Sequence, residues 1–255
     1  MTPAYNAIPK FLATTTYRNP SAKAPFNLAY NTDQPVFEWR KHNPENAEAG
    51  QAFMAAQRTG QQSVWDGNKV PLTDLRLSDE DLDAGRVLLV DVGGGFGHQC
   101  IDLRKLNPHL KGRMITQDLS FVHDMRRNAD ELLELDIEPT AHDFMQPQPV
   151  RGAKAYYLRN VIHNWNDAAS ELILKQVRGA MAEDSVLIVD DVVMPRVGAS
   201  WKQASMDIAM MTMLAAMERT EEQFRLLLLS AGLRLRDVWT YDDEYGDSLL
   251  VAVPV

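Results

Sequence analysis

Three features of the 255-residue sequence predict an α/β fold of the Rossmann-like kind, a mostly parallel seven-stranded sheet with an antiparallel last strand. From Arg86 onward short apolar runs alternate with helical text, the pattern of strands joined by helical crossovers. The run Leu88-Leu89-Val90-Asp91-Val92 enters Gly93, Gly94, Gly95 and Gly97, a strand-to-helix turn whose backbone a ligand can approach closely. Aspartates close three successive predicted strands, in the crevice where open α/β sheets bind ligands.

The elements follow in chain order. Residues 1 to about 34, with Pro3, Pro9, Pro20 and Pro25 among polar residues, predict an extended arm with one short helix. From Pro35 the text is helical, with Phe37, Trp39, Phe53 and Met54 as inward residues, a break near Asn43-Pro44 and a stop at Gly60. Asp66-Gly67 and Pro71 mark a linker, so residues 1–75 form a helical N-terminal segment and residues 76–255 the main domain. Strands are predicted at 87–92, 113–117, 137–144, 155–159, 186–192, 233–240 and 248–253. The last two are separated by the polar stretch 241–247 and read as a hairpin at or near the sheet edge.

Composition narrows the partners. Thirty-five acidic against 26 basic residues give a net charge of -9, which repels a polyanion, so no nucleic-acid partner is expected. Cys100 is the one cysteine, which excludes an intrachain disulfide and a cysteine-built metal site; no metal is expected, and a reducing, cytoplasmic setting fits. The N-terminus lacks the pattern of a secretory signal, and the apolar stretch 206–217, broken by Asp207 and Thr212, is too short to cross a bilayer.

A dinucleotide turn wants a third glycine where His98 stands, which argues against a nicotinamide oxidoreductase. The run Asp91-x-Gly93-x-Gly95-x-Gly97 instead resembles the first motif of Rossmann-like methyltransferases, whose acidic residue sits beside a methionine amino group. A carboxylate suits that ammonium better than it suits pyrophosphate. Asp118, followed by Leu119, stands where a carboxylate can accept both ribose hydroxyl protons, and Asp143 where it can meet an adenine amino group while Phe144 or Met145 packs on the ring. Each aspartate alone reads more often as a cap; their row is the informative feature.

The segment Leu158-Arg159-Asn160-Val161-Ile162-His163-Asn164-Trp165-Asn166-Asp167 follows the fourth strand. It resembles the plant caffeate- and flavonoid-type O-methyltransferases, and more closely their fungal relatives in secondary metabolism, whose motif reads basic-x-x-x-His-x-Trp-x-Asp. The resemblance extends to Pro35–Trp39, the glycine turn, Asp190–Pro195 and Glu218-Arg219-Thr220. It implies S-adenosyl-L-methionine as cofactor, a small hydroxylated acceptor, and His163 as general base flanked by Asp191 and Glu218. It also places Arg159 near the cofactor, Trp165 over the adenine, and Met54, Met210 and Met211 around the acceptor. Without the resemblance His163 reads as a satisfied histidine at a helix start, and the methionines at helical spacing as core.

Two departures stand out: Asp191 where the plant enzymes often carry glutamate, and Asn164 where they often carry aspartate. Family members also carry an N-terminal dimerising helical domain, and this sequence begins after most of it, so a weakened homodimer and exposed apolar surface are expected. Two alternatives remain at this point: a non-methylating enzyme using the bound sulfonium as a fixed charge, and a non-catalytic shortened homologue.

Overall fold

A computed structural model describes residues 2–18, 20, 22–46, 48–49, 63–66 and 72–255. Met54 and Phe53 lie outside the described residues, as do Gly60, Gly67 and Pro71.

The strands are β1 (Leu89–Val92), β2 (Met114–Asp118), β3 (Ile137–Ala141), β4 (Ala155–Arg159), β5 (Val186–Met194), β6 (Arg219–Thr220), β7 (Leu233–Asp242) and β8 (Asp247–Pro254). They form one sheet in the order β3-β2-β1-β4-β5-β8-β7, with β6 alongside β5. Pairing is parallel from β3 through β5, as the near-continuous apolar runs of β1, β4 and β5 require of strands buried on both faces. The hairpin forms as expected: β8 is antiparallel to β7 and to β5, which leaves β7 as the edge. The two-residue β6, parallel to β5, is an addition that no apolar run announces.

Helices among the described residues include α1 (Thr2–Thr14), α2 (Pro25–Ala29), α3 (Val36–Lys41), α4 (Asp79–Asp83), α5 (His98–Leu106), α6 (Ser120–Met125), α7 (Ala129–Glu134), α8 (Asp167–Arg178), α9 (Trp201–Leu214) and α10 (Glu221–Ser230). Ser200 and Thr220 cap α9 and α10 through capping boxes closed by Gln203 and Gln223.

By internal contacts the chain divides into two units. Unit 1 comprises residues 1–62, 163–166 and 200–218. Its core joins Ala4, Ala24, Phe26, Val36 and Ala215, with Tyr30, Trp39 and Met213 packed against them. Unit 2 comprises residues 63–162, 167–199 and 219–255 and contains the whole sheet. There Leu88, Leu89, Met114, Ala155, Tyr157 and Ile188 are buried on helix residues Cys100, Leu103 and Leu132. Each fully buried leucine or isoleucine contributes roughly 1.5–3 kcal/mol.

Two expectations need correction. The first residues are not an extended arm, because α1 runs through Pro9. Ala4 and Phe11, seven residues apart, share a helix face and are both buried, and that burial outweighs the backbone bond lost at Pro9. The third strand ends at Ala141, before Asp143 and Phe144. Val64 and Trp65, just before the predicted linker, are each 1% exposed and form part of the sheet core; the Trp65 indole N–H donates to Gln99 at 3.1 Å.

Candidate active site

In unit 2 the glycine turn is built by local backbone demands. Gly93, Gly95 and Gly97 have φ of +75°, +57° and +82°, and Gly97 is the left-handed cap that starts α5. Gly94 is needed for space: a Cβ there would stand 2.3 Å from Asp91 Oδ2 and 2.6 Å from Thr116 Oγ1. A Cβ on Gly93 would meet Val161 at 3.0 Å and the Phe144 ring at 3.5 Å, so Phe144 lies against the turn even though it has left the strand. A Cβ on Gly95 would meet nothing within 4 Å, so the turn is open on that side.

Asp91 is 1% exposed, and among the described residues no cation pairs with it. Its hydrogen-bond donor is the Cys100 thiol, at 3.8 Å. Burial, reinforced by the charge of Asp118 and partly offset by Arg159, pushes its pKa up to about 7. Asp118 accepts the Gly95 N–H at 2.9 Å and the Leu119 N–H at 2.7 Å; burial raises its pKa, and these two bonds oppose the rise. Arg126 donates to the Gly95 carbonyl and Asn128 to the Phe96 carbonyl at 3.0 Å, so the α6–α7 junction holds the turn from outside. Thr116 Oγ1, beneath Gly94, is buried and has no hydrogen-bond partner among the described residues.

Asp143 behaves differently. It is exposed and accepts the Met145 N–H at 2.9 Å, capping its own turn. Arg159, expected near the cofactor, pairs with the wholly buried Asp190 at 3.1 Å and donates to Gln99 at 2.8 Å. Burial works against its charge, and the Asp190 carboxylate overcomes it, holding the pKa well above the usual value. Asp190 also accepts the hydroxyls of Tyr157 and Tyr241. This network is invisible in sequence, where Asp190 is one of two adjacent aspartates and neither tyrosine carries a motif. The second of those aspartates, Asp191, is wholly buried in β5.

Unit 1 holds the other constellation. Ile162–Asn164 form a single 3-10 turn, and His163, 5% exposed, meets Glu218 with its Nδ1 at 2.9 Å from Oε1. Glu218 is itself 5% exposed, and its backbone N–H donates to Asp207 Oδ1 at 2.9 Å. Burial raises the Asp207 pKa, and the Glu218 charge adds to the rise. Asp207, read from sequence as a break in an apolar helix, is thus part of this cluster. Trp165 stacks on Phe37 with ring centroids 6.0 Å apart, which favours the core reading of that ring. Met210 and Met211 are half-buried on α9.

The donor and acceptor set of unit 2 suits S-adenosylmethionine. A buried carboxylate without a cation fits an ammonium group, a second carboxylate retains acceptor capacity for ribose hydroxyls, and the open side of Gly95 admits close approach to backbone.

A parallel sheet whose first strand runs through glycines into a helix, with carboxylates at the ends of β1 and β2, places the molecule among the Rossmann-like α/β domains. Comparison with known proteins makes this specific. The profile of a family described as an O-methyltransferase domain matches residues 16–234, and the chain belongs to that family. It is 38% identical over 252 residues to methyltransferase cfoC of Aspergillus candidus, covering 97% of this chain and 61% of that one. It is 37% identical over 212 residues to demethylsterigmatocystin 6-O-methyltransferase stcP of Emericella nidulans, covering 83% of this chain and 98% of the relative. The solved structure of LepI in complex with S-adenosylmethionine superposes with a TM-score of 0.89 at 34% identity, over 99% of this chain and 64% of LepI. The chain thus spans less than two thirds of the length of most of these relatives.

Proposed function

We propose that the protein is an S-adenosylmethionine-dependent O-methyltransferase acting on a hydroxyl of a small aromatic or polyketide-like molecule. The observation that carries this reading is the buried His163–Glu218 pair at 2.9 Å, in a chain whose family is that of O-methyltransferase domains. When bound, S-adenosylmethionine supplies an electrophilic methyl carbon on a positively charged sulfur.

The remaining chemistry belongs to the protein. Glu218 fixes the Nδ1–H tautomer of His163, which leaves Nε2 with a lone pair to accept the acceptor's hydroxyl proton. A phenol, with a pKa of about 10, is a weak nucleophile at neutral pH until that proton is removed. As the proton arrives on Nε2 the imidazolium is stabilised by the Glu218 carboxylate. Asp91 takes the cofactor's ammonium and Asp118 its ribose, with Gly93, Gly95, Leu119 and Phe144 around them. Asp191 is proposed as a second acidic residue of the catalytic set, and Met54, Met210 and Met211 as acceptor-binding residues.

The reading includes residues 1–75 as an N-terminal segment separate from the main domain, and a cytoplasmic setting. It includes no nucleic-acid or membrane partner. Among the described residues no helix is long and apolar enough to cross a membrane.

Incubation with methyl-labelled cofactor and a panel of phenols tests the proposal, with a labelled methyl ether as the expected product. Intact cofactor binding without any methyl ether would overturn it. Turnover of a substrate without consumption of cofactor would instead favour the non-methylating alternative.

A further inference from the structure

The chain leaves unit 2 between Ile162 and His163 and returns to it between Glu218 and Arg219. In unit 1 the two crossing points are joined by the His163–Glu218 bond. In unit 2 they are joined a second time, by Arg219. Its Nη1 donates to the Ile162 carbonyl at 3.1 Å, and its Nε and Nη2 donate to Asp167 Oδ1 at 3.0 and 2.8 Å. Nη2 also reaches Ser170 Oγ at 3.4 Å.

The Arg219 side chain is 1% exposed, whereas that of Asp167 is 66% exposed. A guanidinium this deeply buried costs desolvation energy unless its donors are satisfied, and here the fork spans a carbonyl and a carboxylate at once. The Arg219 backbone is fixed as well, paired with Val193 of β5. The residue before the histidine and the residue after the glutamate are thereby tied to each other by one side chain.

We propose that Arg219 is the positioning residue of the His163–Glu218 pair: by holding the Ile162 carbonyl it sets the distance and tautomer on which proton transfer depends. Its catalytic consequence rests on the methyltransferase reading above, whereas the positioning itself does not. Misplacement of a reacting group by about 1 Å costs on the order of 10² in rate, so loosening this staple acts on turnover while binding is spared. Lysine, a point charge without the planar fork, replaces it only in part.

The test combines kinetics on an acceptor from the phenol panel with nitrogen-15 NMR of the His163 ring, in the full chain carrying Arg219→Met or Arg219→Lys. The expected result for Arg219→Met is a kcat lower by roughly 10- to 100-fold, with KM and the dissociation constant for S-adenosylhomocysteine within about twofold, and loss of the Nδ1–H resonance. Arg219→Lys recovers part of both. A folded Arg219→Met protein that keeps its kcat and its ring resonance would overturn the proposal. Should that variant not fold, Asp167→Ala loosens the same guanidinium from its solvated side and is read identically, unchanged ring and rate again overturning the idea. If the wild-type chain methylates nothing, the functional reading fails by itself, and the ring resonance still decides: its loss in the variant supports positioning by Arg219, and its retention refutes it.

Discussion

Asp91 and Glu218 are both buried carboxylates, and the protein treats them in opposite ways. Asp91, beside the glycine turn, has a thiol as donor, a second carboxylate nearby and a pKa pushed up to about 7. Glu218 has an imidazole nitrogen 2.9 Å from one oxygen and its own backbone N–H fixed by Asp207. A charge left uncompensated by the protein is one that an incoming cation can stabilise strongly, because desolvation has already been borne in folding. A proton-transfer pair gains instead from being assembled before substrate arrives. In the proposed reading, binding and chemistry are thus prepared differently.

Removing the assembled side gives the largest effect. His163→Ala is expected to lower methyl transfer by about 10² to 10⁴, the usual contribution of a positioned general base, with cofactor affinity within twofold by calorimetry. Comparable loss of cofactor affinity would show that the two sides are not separable.

Gly94→Ala attacks the other side. The added Cβ would fall 2.3 Å from Asp91 and 2.6 Å from Thr116, so the turn must shift. Overpacking of about 1–3 kcal/mol predicts S-adenosylhomocysteine binding weaker by roughly 5- to 150-fold, while the His163 ring resonance stays unchanged.

Acidity sharpens the contrast. Burial holds the folded pKa of Asp91 at about 7, above its unfolded value, so its contribution to stability is fully present below about pH 4 and is lost as pH rises through about 7. An ammonium ligand needs the ionised form. Affinity for S-adenosylhomocysteine is therefore expected to rise about tenfold between pH 6 and pH 8, with that increment abolished in Asp91→Asn. A wild-type affinity flat across this range would remove Asp91 from the binding set.

The smallest effect is expected at Asp143, which the row of aspartates groups with Asp91 but which is exposed and bonded to its own turn. Asp143→Ala should change cofactor affinity by no more than about threefold, as for a surface substitution. A larger loss would restore it to the cofactor row.

Much of the glycine turn was legible because its requirements are local. A strand running into glycines that need positive φ, with a carboxylate two residues before the first, is written in contiguous text. The register of β1 against β2 then brings Asp118 to the Gly95 N–H. Legibility failed where packing overrode composition. Proline-rich text became α1 because Ala4 and Phe11 find a core. The partners of Arg159, which the resemblance puts near the cofactor, were not legible either: its charge is held by Asp190, Gln99 and Tyr157.

By itself the sequence determined the alternation of strand and helix and the glycine turn, since periodicity and backbone conformation are properties of neighbouring residues. The resemblance names Glu218 and Asp191 together as neighbours of His163; the tertiary structure decided that the Nδ1 contact goes to Glu218, 55 residues away, that Asp207 holds the Glu218 N–H and that Arg219 bonds the Ile162 carbonyl. Such pairings are chosen by which buried polar groups can satisfy one another in three dimensions, and no spacing along the chain encodes that choice.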